Sequence, residues 1–325
     1  MFFPHMKQLV VTLVALCCGA QALAQVDLSG SWIKRTHEDW QEEGDGPDLG
    51  DYTGLPINDD ARTRALSYSG SSLALPERQC LFYAPNYLIQ AFFGMDITPE
   101  TDPSTGKVVA WHIGAILDRG EITIWMDGRK PPPEHAPHPL GGFTRGEWIG
   151  NTLKTVTTHF RQGYIRRNGT PNSDQATFTM HLTRHGDMLT LVGTVEDPVY
   201  LTQPYVRSQS FVRNPNAVPT RTSASPCVPA AEIASLDGSG AVPHVLPEEN
   251  PAAKDFARMY GLPLGTALGG AETMWPEYRN KLKGVYNRPQ KCTRYCCGWE
   301  IAGTLALPLG CEVTASQRRQ KPVEK

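Results

Sequence analysis

The stretch that decides the fold runs from Ala176 to Glu196, ATFTMHLTRHGDMLTLVGTVE. Phe178, Met180 and Leu182 alternate with Thr177, Thr179, His181 and Thr183, the two-residue period of a strand with unlike faces. His185-Gly186-Asp187 interrupts the pattern, and Met188 to Glu196 resumes it. Two strands, Ala176–Arg184 and Met188–Glu196, are therefore expected around a tight hairpin turn in which glycine supplies the positive φ.

Working outward, the same reading applies from Leu28 to about Arg213. Val108–Leu117 and Glu121–Asp127 flank the turn signal Asp118-Arg119-Gly120. Thr152–Phe160 follows a glycine-rich stretch from Gly141-Gly142 to Gly150, and Tyr205–Arg213 follows Asp197-Pro198 and Pro204. Strands joined by short turns form an antiparallel meander, which hides its edges by closing into a barrel or stacking as a β-sandwich. The fold class is mainly β, with the barrel expected and the sandwich as the alternative. Two inserts interrupt the strands: a polar, acidic one over Thr36–Ser69, with a short helix at Asp59–Ser67, and a stiff proline-rich loop over Pro131–Pro139.

Residues 214–247 shift to Pro, Ser, Ala and Thr and read as a linker or wrapping segment. Residues 248–325 read as a small C-terminal segment with short helices and clustered cysteines. There Asn250 is a cap, Pro251 suits a first turn and Gly261 suits the left-handed C-terminal position. A second helix is expected over Glu277–Lys283 behind Pro276.

Of 325 residues, 40% are hydrophobic and 20% charged, enough apolar material for a large core. Lys and Arg number 31 against 33 Asp and Glu, so the charge balance offers no footprint for nucleic acid. Residues 1–24 read as a signal peptide: Lys7 precedes the apolar run Leu9–Leu16, and Ala22-Leu23-Ala24 makes a cleavage site before Gln25. A lipid anchor on Cys17 or Cys18 is the alternative. The expected compartment is periplasmic or secreted, with no transmembrane segment, because the apolar run is too short to span a bilayer. Removal of the signal leaves Cys80, Cys227, Cys292, Cys296, Cys297 and Cys311. Exported cysteines pair. Cys80 and Cys227 alone lie outside the C-terminal cluster, so a Cys80–Cys227 bridge is expected, while the pairing of the other four, or a four-thiolate zinc cluster, stays open.

Gly30-Ser31-Trp32 and Gly146-Glu147-Trp148 repeat a Gly-x-Trp unit, in which a glycine lets the strand bend while the ring fills a barrel end. In position the first unit resembles that of the calycin superfamily of lipocalin-like barrels. From Trp125 onward the chain is similar to a group of exported bacterial proteins of uncharacterised function. The matching residues are Asp127-Gly128-Arg129, Gly146 through Leu153, Asp197-Pro198, and Gly270 through Arg279. Asn151 and Met180 stand where acidic residues are usual in that group. The resemblance implies a calycin-like barrel over residues 25–213 and no particular activity.

No Gly-x-Ser-x-Gly, GxxxxGK[ST], HExxH or calcium-loop spacing occurs. His135 and His138 are about 9 Å apart on an extended proline-rich run, too far to share an ion, so no metal and no cofactor is expected. Strand parity places Thr155, Thr157 and His159 on one face, as it does Thr177, Thr179, His181 and Thr183, and Thr123 with Trp125. If these faces coincide, they line a cavity or a wetted wall. The expected function is binding of a small hydrophobic or aromatic ligand in the barrel, at Trp125, Trp148, His159, His181 and Tyr200. The alternative is an acid–base enzyme, a lyase, isomerase or hydrolase, with His159 and His181 as catalytic groups. Arg161, Arg166 and Arg167 form either a solvated hairpin end or a clamp for an anion. Protein partners are not indicated.

Overall fold

The structure, a computed structural model, describes residues 26–35, 49–68, 79–81, 84–90, 94–116, 120–221, 228–229 and 246–284. The expected signal peptide, the expected turn residues Asp118 and Arg119, and Cys227, Cys292, Cys296, Cys297 and Cys311 lie outside them.

Eleven strands are described: β1 (Gly30–Lys34), β2 (Met95–Thr101), β3 (Val108–Ile116), β4 (Gly120–Trp125), β5 (Phe143–Ile149), β6 (Thr152–Thr158), β7 (Gly163–Tyr164), β8 (Pro171–Asn172), β9 (Thr177–His185), β10 (Met188–Glu196) and β11 (Tyr205–Asn214). Nine of them close a barrel in the order β1-β11-β10-β9-β6-β5-β4-β3-β2, leaving β7 and β8 as a separate pair. The barrel therefore replaces the sandwich alternative. Closure between β1 and β2 pairs Trp32 with Met95, and closure between β1 and β11 pairs Trp32 with Arg213. The hairpin of β9 and β10 turns on Gly186, at φ 59°, with Met188 opposite His185.

The meander is broken in two places. Strands β4 and β5 run parallel, joined only through Ile124–Thr144 and Trp125–Arg145, with the proline-rich loop as their connection. Between β6 and β9 the chain leaves the wall for the β7–β8 pair, so β6 bonds directly to β9.

The two ends of the barrel differ. At one, only tight turns join strands, and the Trp32 indole donates to the Leu28 carbonyl at 3.0 Å, with the Arg184 guanidinium 5.6 Å from its ring. At the other, a 3-10 helix over Pro85–Gln90 is buried along its whole length. Gln90 holds this plug in place: its Nε2 donates to the Ile165 carbonyl at 3.0 Å, its Oε1 accepts from Arg207 at 3.3 Å, and its carbonyl accepts from Lys34 Nζ at 2.9 Å. The same end carries helix α1 (Asp59–Leu66), capped by Asn58, whose Oδ1 accepts from the Ala61 amide at 2.9 Å. Through Ala61 and Ala65 it packs on Tyr52, Leu55 and Ile57. Asn250 ties the C-terminal segment to α1 by donating to the Leu66 carbonyl, and its Oδ1 caps α2 (Ala252–Tyr260) at the Ala252 amide. Gly261 ends α2 at φ 62°, and α3 (Leu264–Ala267) and α4 (Pro276–Lys281) follow. No helix among the described residues is long and apolar enough to cross a membrane.

Candidate ligand site inside the barrel

The inward side of the wall is fixed by burial and register together. In β9, Phe178, Met180 and Leu182 are buried; in β10, Leu189, Leu191 and Val195; in β6, Leu153, Thr155 and Thr157. Thr155 pairs with Met180, and Met180 with Gly193, so one row of the wall is made of small or flexible side chains. Gly146 of β5 pairs with Thr155 and also belongs to this row. A Cβ on Gly146 would meet Ile124 and Met126 at 2.7 Å, which is why glycine stands in the second Gly-x-Trp unit.

Three inward side chains carry polar atoms that no described group answers. Trp111 is 2% exposed, Thr155 0% and Gln209 1%, and Trp111 Nε1, Thr155 Oγ1 and Gln209 Oε1 are buried without a hydrogen-bond partner. Trp148 Nε1 is a fourth such atom, on β5. Buried polar atoms are paired in the great majority of cases, by protein or by water, and an unpaired one costs about 1–3 kcal/mol. Trp111 is the fourth of nine residues in β3, Thr155 the fourth of seven in β6 and Gln209 the fifth of ten in β11. In the ring of nine strands, β3, β6 and β11 stand three places apart. The three groups therefore enter the lumen from three sides, near mid-strand.

The residues expected at the site do not converge. Trp148 faces inward, as a partly buried ring packed on the core. His181 pairs with Lys154 and stands on the outer face, because the register aligns Thr155 with Met180 rather than with His181. Trp125 is also on the outer face, with the Arg129 guanidinium 3.4 Å above its ring and Asp127 paired with Arg129. His159 lies past the end of β6 at φ 58°, a conformation that breaks strand parity. Phe160 consequently enters the core, while His159 holds the proline-rich loop from outside. Its Nε2 is 3.0 Å from the Pro133 carbonyl oxygen, its Nδ1 is 2.8 Å from Thr158 Oγ1, and its ring is 5.2 Å from that of His138. Tyr200 is half-buried beside α1, with Gln162 3.2 Å from its hydroxyl. Arg166 departs from the solvated reading of the arginine run. It is 1% exposed in the connection between β7 and β8, and close enough to Tyr52 to oppose, in part, the rise that burial imposes on that phenol's pKa.

A second cluster lies on the outer wall, and its central residue, His112, reads in sequence only as part of an apolar strand. His112 Nδ1 is 3.1 Å from Glu121 Oε1 and its Nε2 is 2.8 Å from Glu100 Oε2. Arg221 closes over it with two bonds of 2.6 Å to Glu121, and Asp96 Oδ2 accepts from the Thr220 amide at 2.8 Å. Arg221 holds the Glu121 carboxyl below the usual glutamate range, against an opposing effect of burial. The carboxylates occupy opposite nitrogens of one ring, so the cluster clasps the segment after β11 and does not converge on one point. Among the described residues no group of His, Cys, Asp or Glu is arranged to hold a metal ion. No protein-family model and no curated protein matches the chain.

Proposed function

We propose that this chain is an exported protein that binds a small hydrophobic or aromatic ligand inside a calycin-like barrel. The observation that carries the reading is the set of buried, unanswered polar atoms on the inward wall, Trp111 Nε1, Thr155 Oγ1 and Gln209 Oε1, within a mostly apolar lining. Ligand sites have this composition: mostly apolar, with a few placed polar groups. Trp148 belongs to the lining; Trp125, His159 and His181 do not reach it from the outer side. An acid–base reaction at His159 and His181 would need both rings inside the wall, and their positions favour binding over that chemistry.

The test is native mass spectrometry of protein purified from an exporting host, followed by denaturation and identification of what is released. A bound small molecule at near one-to-one occupancy is the expected result. A bare chain whose tryptophan fluorescence responds to no member of a small-molecule panel would overturn the reading. Export is a separate part of the proposal. It requires a mature N-terminus at Gln25 and a Cys80–Cys227 disulfide, both read out by peptide mapping without reduction.

A further inference from the structure

Two arginines stand against Trp32 at the turn end of the barrel. Arg213 is directly opposite Trp32 in the pairing of β1 with β11 and shares its inward face. Its side chain lies across Gly30. A Cβ there would come within 3.3 Å of Arg213 Nε and 3.7 Å of Trp32 Nε1, so the glycine of the first Gly-x-Trp unit makes room for this guanidinium. Arg184 reaches the same ring from β9, at 5.6 Å.

The two side chains are engaged differently. Arg184 donates from Nε to the Gly186 carbonyl at 2.8 Å and from Nη1 to the Asp27 carbonyl, which fixes its plane and leaves Nη2 unused. Arg213 commits only its backbone amide, to the Asp187 carbonyl at 2.9 Å. Its guanidinium has no partner among the described residues, and its nitrogens stay open to solvent, whereas Nε and Nη2 of Arg207 on the same strand face are sealed. Asp27 and Asp187, whose carbonyls accept these bonds, are exposed, and among the described residues no carboxylate forms an ion pair with either arginine. Carbonyl oxygens orient a guanidinium without neutralising it. Guanidinium forks match the oxygens of phosphate and sulfate, and such charge-assisted bonds are the strong ones. Trp32 and Leu28 are buried behind the pair and keep water from one side of it, which strengthens electrostatic contacts there.

We infer that the turn end of the barrel binds a tetrahedral oxyanion of the phosphate type, free or as the headgroup of a larger molecule, at Arg213 and Arg184. Arg213 supplies the principal contact, and Arg184, held by its two carbonyls, the second. The site is separate from the unanswered atoms at mid-strand and does not depend on what the lumen holds.

The probe is inorganic phosphate, titrated at constant ionic strength into the full mature chain and followed by the NMR signals of the arginine Nε–H groups and the Trp32 indole N–H. The Arg213 and Trp32 signals should shift together and saturate. Arg213→Met should weaken phosphate binding about tenfold or more, the worth of a charge-assisted hydrogen bond. Its unfolding midpoint should stay close to the parent's, because the side chain holds nothing else in place. Arg213→Lys should recover part of the binding, and Arg145→Met, on the exposed outer face of β5, should change nothing. Shifts that grow without saturating, or an Arg213→Met variant that binds phosphate like the parent, would make the pair a solvated surface and overturn the site. Vesicles of phosphatidylcholine with and without phosphatidic acid identify the source of the anion. Capture by the phosphatidic acid vesicles alone, abolished by Arg213→Met, assigns a lipid headgroup; saturable phosphate binding without capture assigns a soluble anion.

Discussion

Ile89 occupies the space that a side chain on Gly193 would need. A Cβ built on Gly193 would lie 2.0 Å from Ile89 Cγ2 and 3.0 Å from Phe178 Cε2. Gly193 faces the lumen in β10, so its missing side chain is the seat of the plug, and the plug in turn shuts that end of the barrel. Gly193→Ala should therefore destabilise the protein by about 1–3 kcal/mol, the usual cost of overpacking, since the offending methyl sits on a branched carbon that cannot swing away. Ile89→Ala alone should cost about 2–5 kcal/mol. The double variant should cost clearly less than the sum, because the cavity left by Ile89 receives the new methyl. Urea unfolding of the four proteins measures this; strict additivity would remove the plug from its seat on Gly193.

The clasp on the outer wall should open in acid. The Glu121 carboxyl is depressed chiefly by its hydrogen bonds to Arg221, with the Arg221 charge and His112 adding to the effect and burial opposing it. A carboxyl lowered in the folded state contributes stability that is complete above its unfolded pKa and is lost as pH falls through the folded value. The loss therefore falls below about pH 4, given an ordinary glutamate near 4.3. Glu121 is only partly buried, so screening limits the ion pair to about 0.5–1 kcal/mol. Hydrogen exchange at Thr220 and Arg221 should rise between pH 5 and about 3, and Arg221→Ala should show the raised exchange at every pH. Gly114 sits beneath this clasp, where a Cβ would be 2.5 Å from the Arg221 carbonyl oxygen, so Gly114→Ala should mimic Arg221→Ala.

What could be read from sequence was whatever depends on near neighbours. The β9–β10 hairpin is visible because alternation on both sides of Gly186 fixes strand, turn and face at once. Helix α2 is visible because its cap Asn250 and its terminal Gly261 lie within a dozen residues. Strand β5 hides behind its glycines: Gly146 is needed for lumen packing, yet a run bounded by Gly141, Gly142 and Gly150 reads as turn. The plug shows no period, since all six residues of Pro85–Gln90 are buried at once. His112 looks like one polar residue in an apolar strand until Arg221, more than one hundred positions later, closes over Glu121. The expected face of Thr155, His181 and Trp125 fails on register, which side-chain parity within single strands does not determine, and His159 leaves it through the positive φ that ends β6.

Trp32 closes the turn end of the barrel, and its energetics separate into parts. Trp32→Ala should cost about 3–5 kcal/mol, the loss of a large buried ring. Trp32→Phe keeps most of the packing but leaves the Leu28 carbonyl without the indole N–H, and about 1–3 kcal/mol is expected. Arg184→Ala removes the cation above the ring and should cost about 0.5–1 kcal/mol from that contact. Thermal and chemical denaturation rank the three. A Trp32→Phe variant as stable as the parent would show that the indole bond contributes nothing net.

Asp197 is the hardest position in the capped end to replace. It is buried, and each of its oxygens has work that depends on its lacking hydrogens. Oδ1 accepts from Ser173 Oγ at 2.8 Å, the Val199 amide at 2.9 Å and the Tyr200 amide at 3.2 Å, while Oδ2 accepts from the Ser173 amide at 2.6 Å. These bonds join the segment after β8 to the turn after β10, the two pieces that bring Asn172 and Tyr200 to the plugged end. Asp197→Ala strands buried donors and should cost about 3 kcal/mol or more. Asp197→Asn is the sharper test. Its oxygen can keep the three bonds of Oδ1, but its NH₂ then points at the Ser173 amide, donor against donor, and turning the amide over sets the NH₂ against the Val199 and Tyr200 amides instead. Asn should therefore recover little of the loss, despite matching the carboxylate in shape. An alanine at position 173 is the milder control: Ser173→Ala removes the hydroxyl that donates to Asp197 and accepts from the Gln175 amide at 3.1 Å, and should cost about 1–2 kcal/mol. Equilibrium unfolding that finds Asp197→Asn as stable as the parent would mean that this carboxylate does not join the two segments.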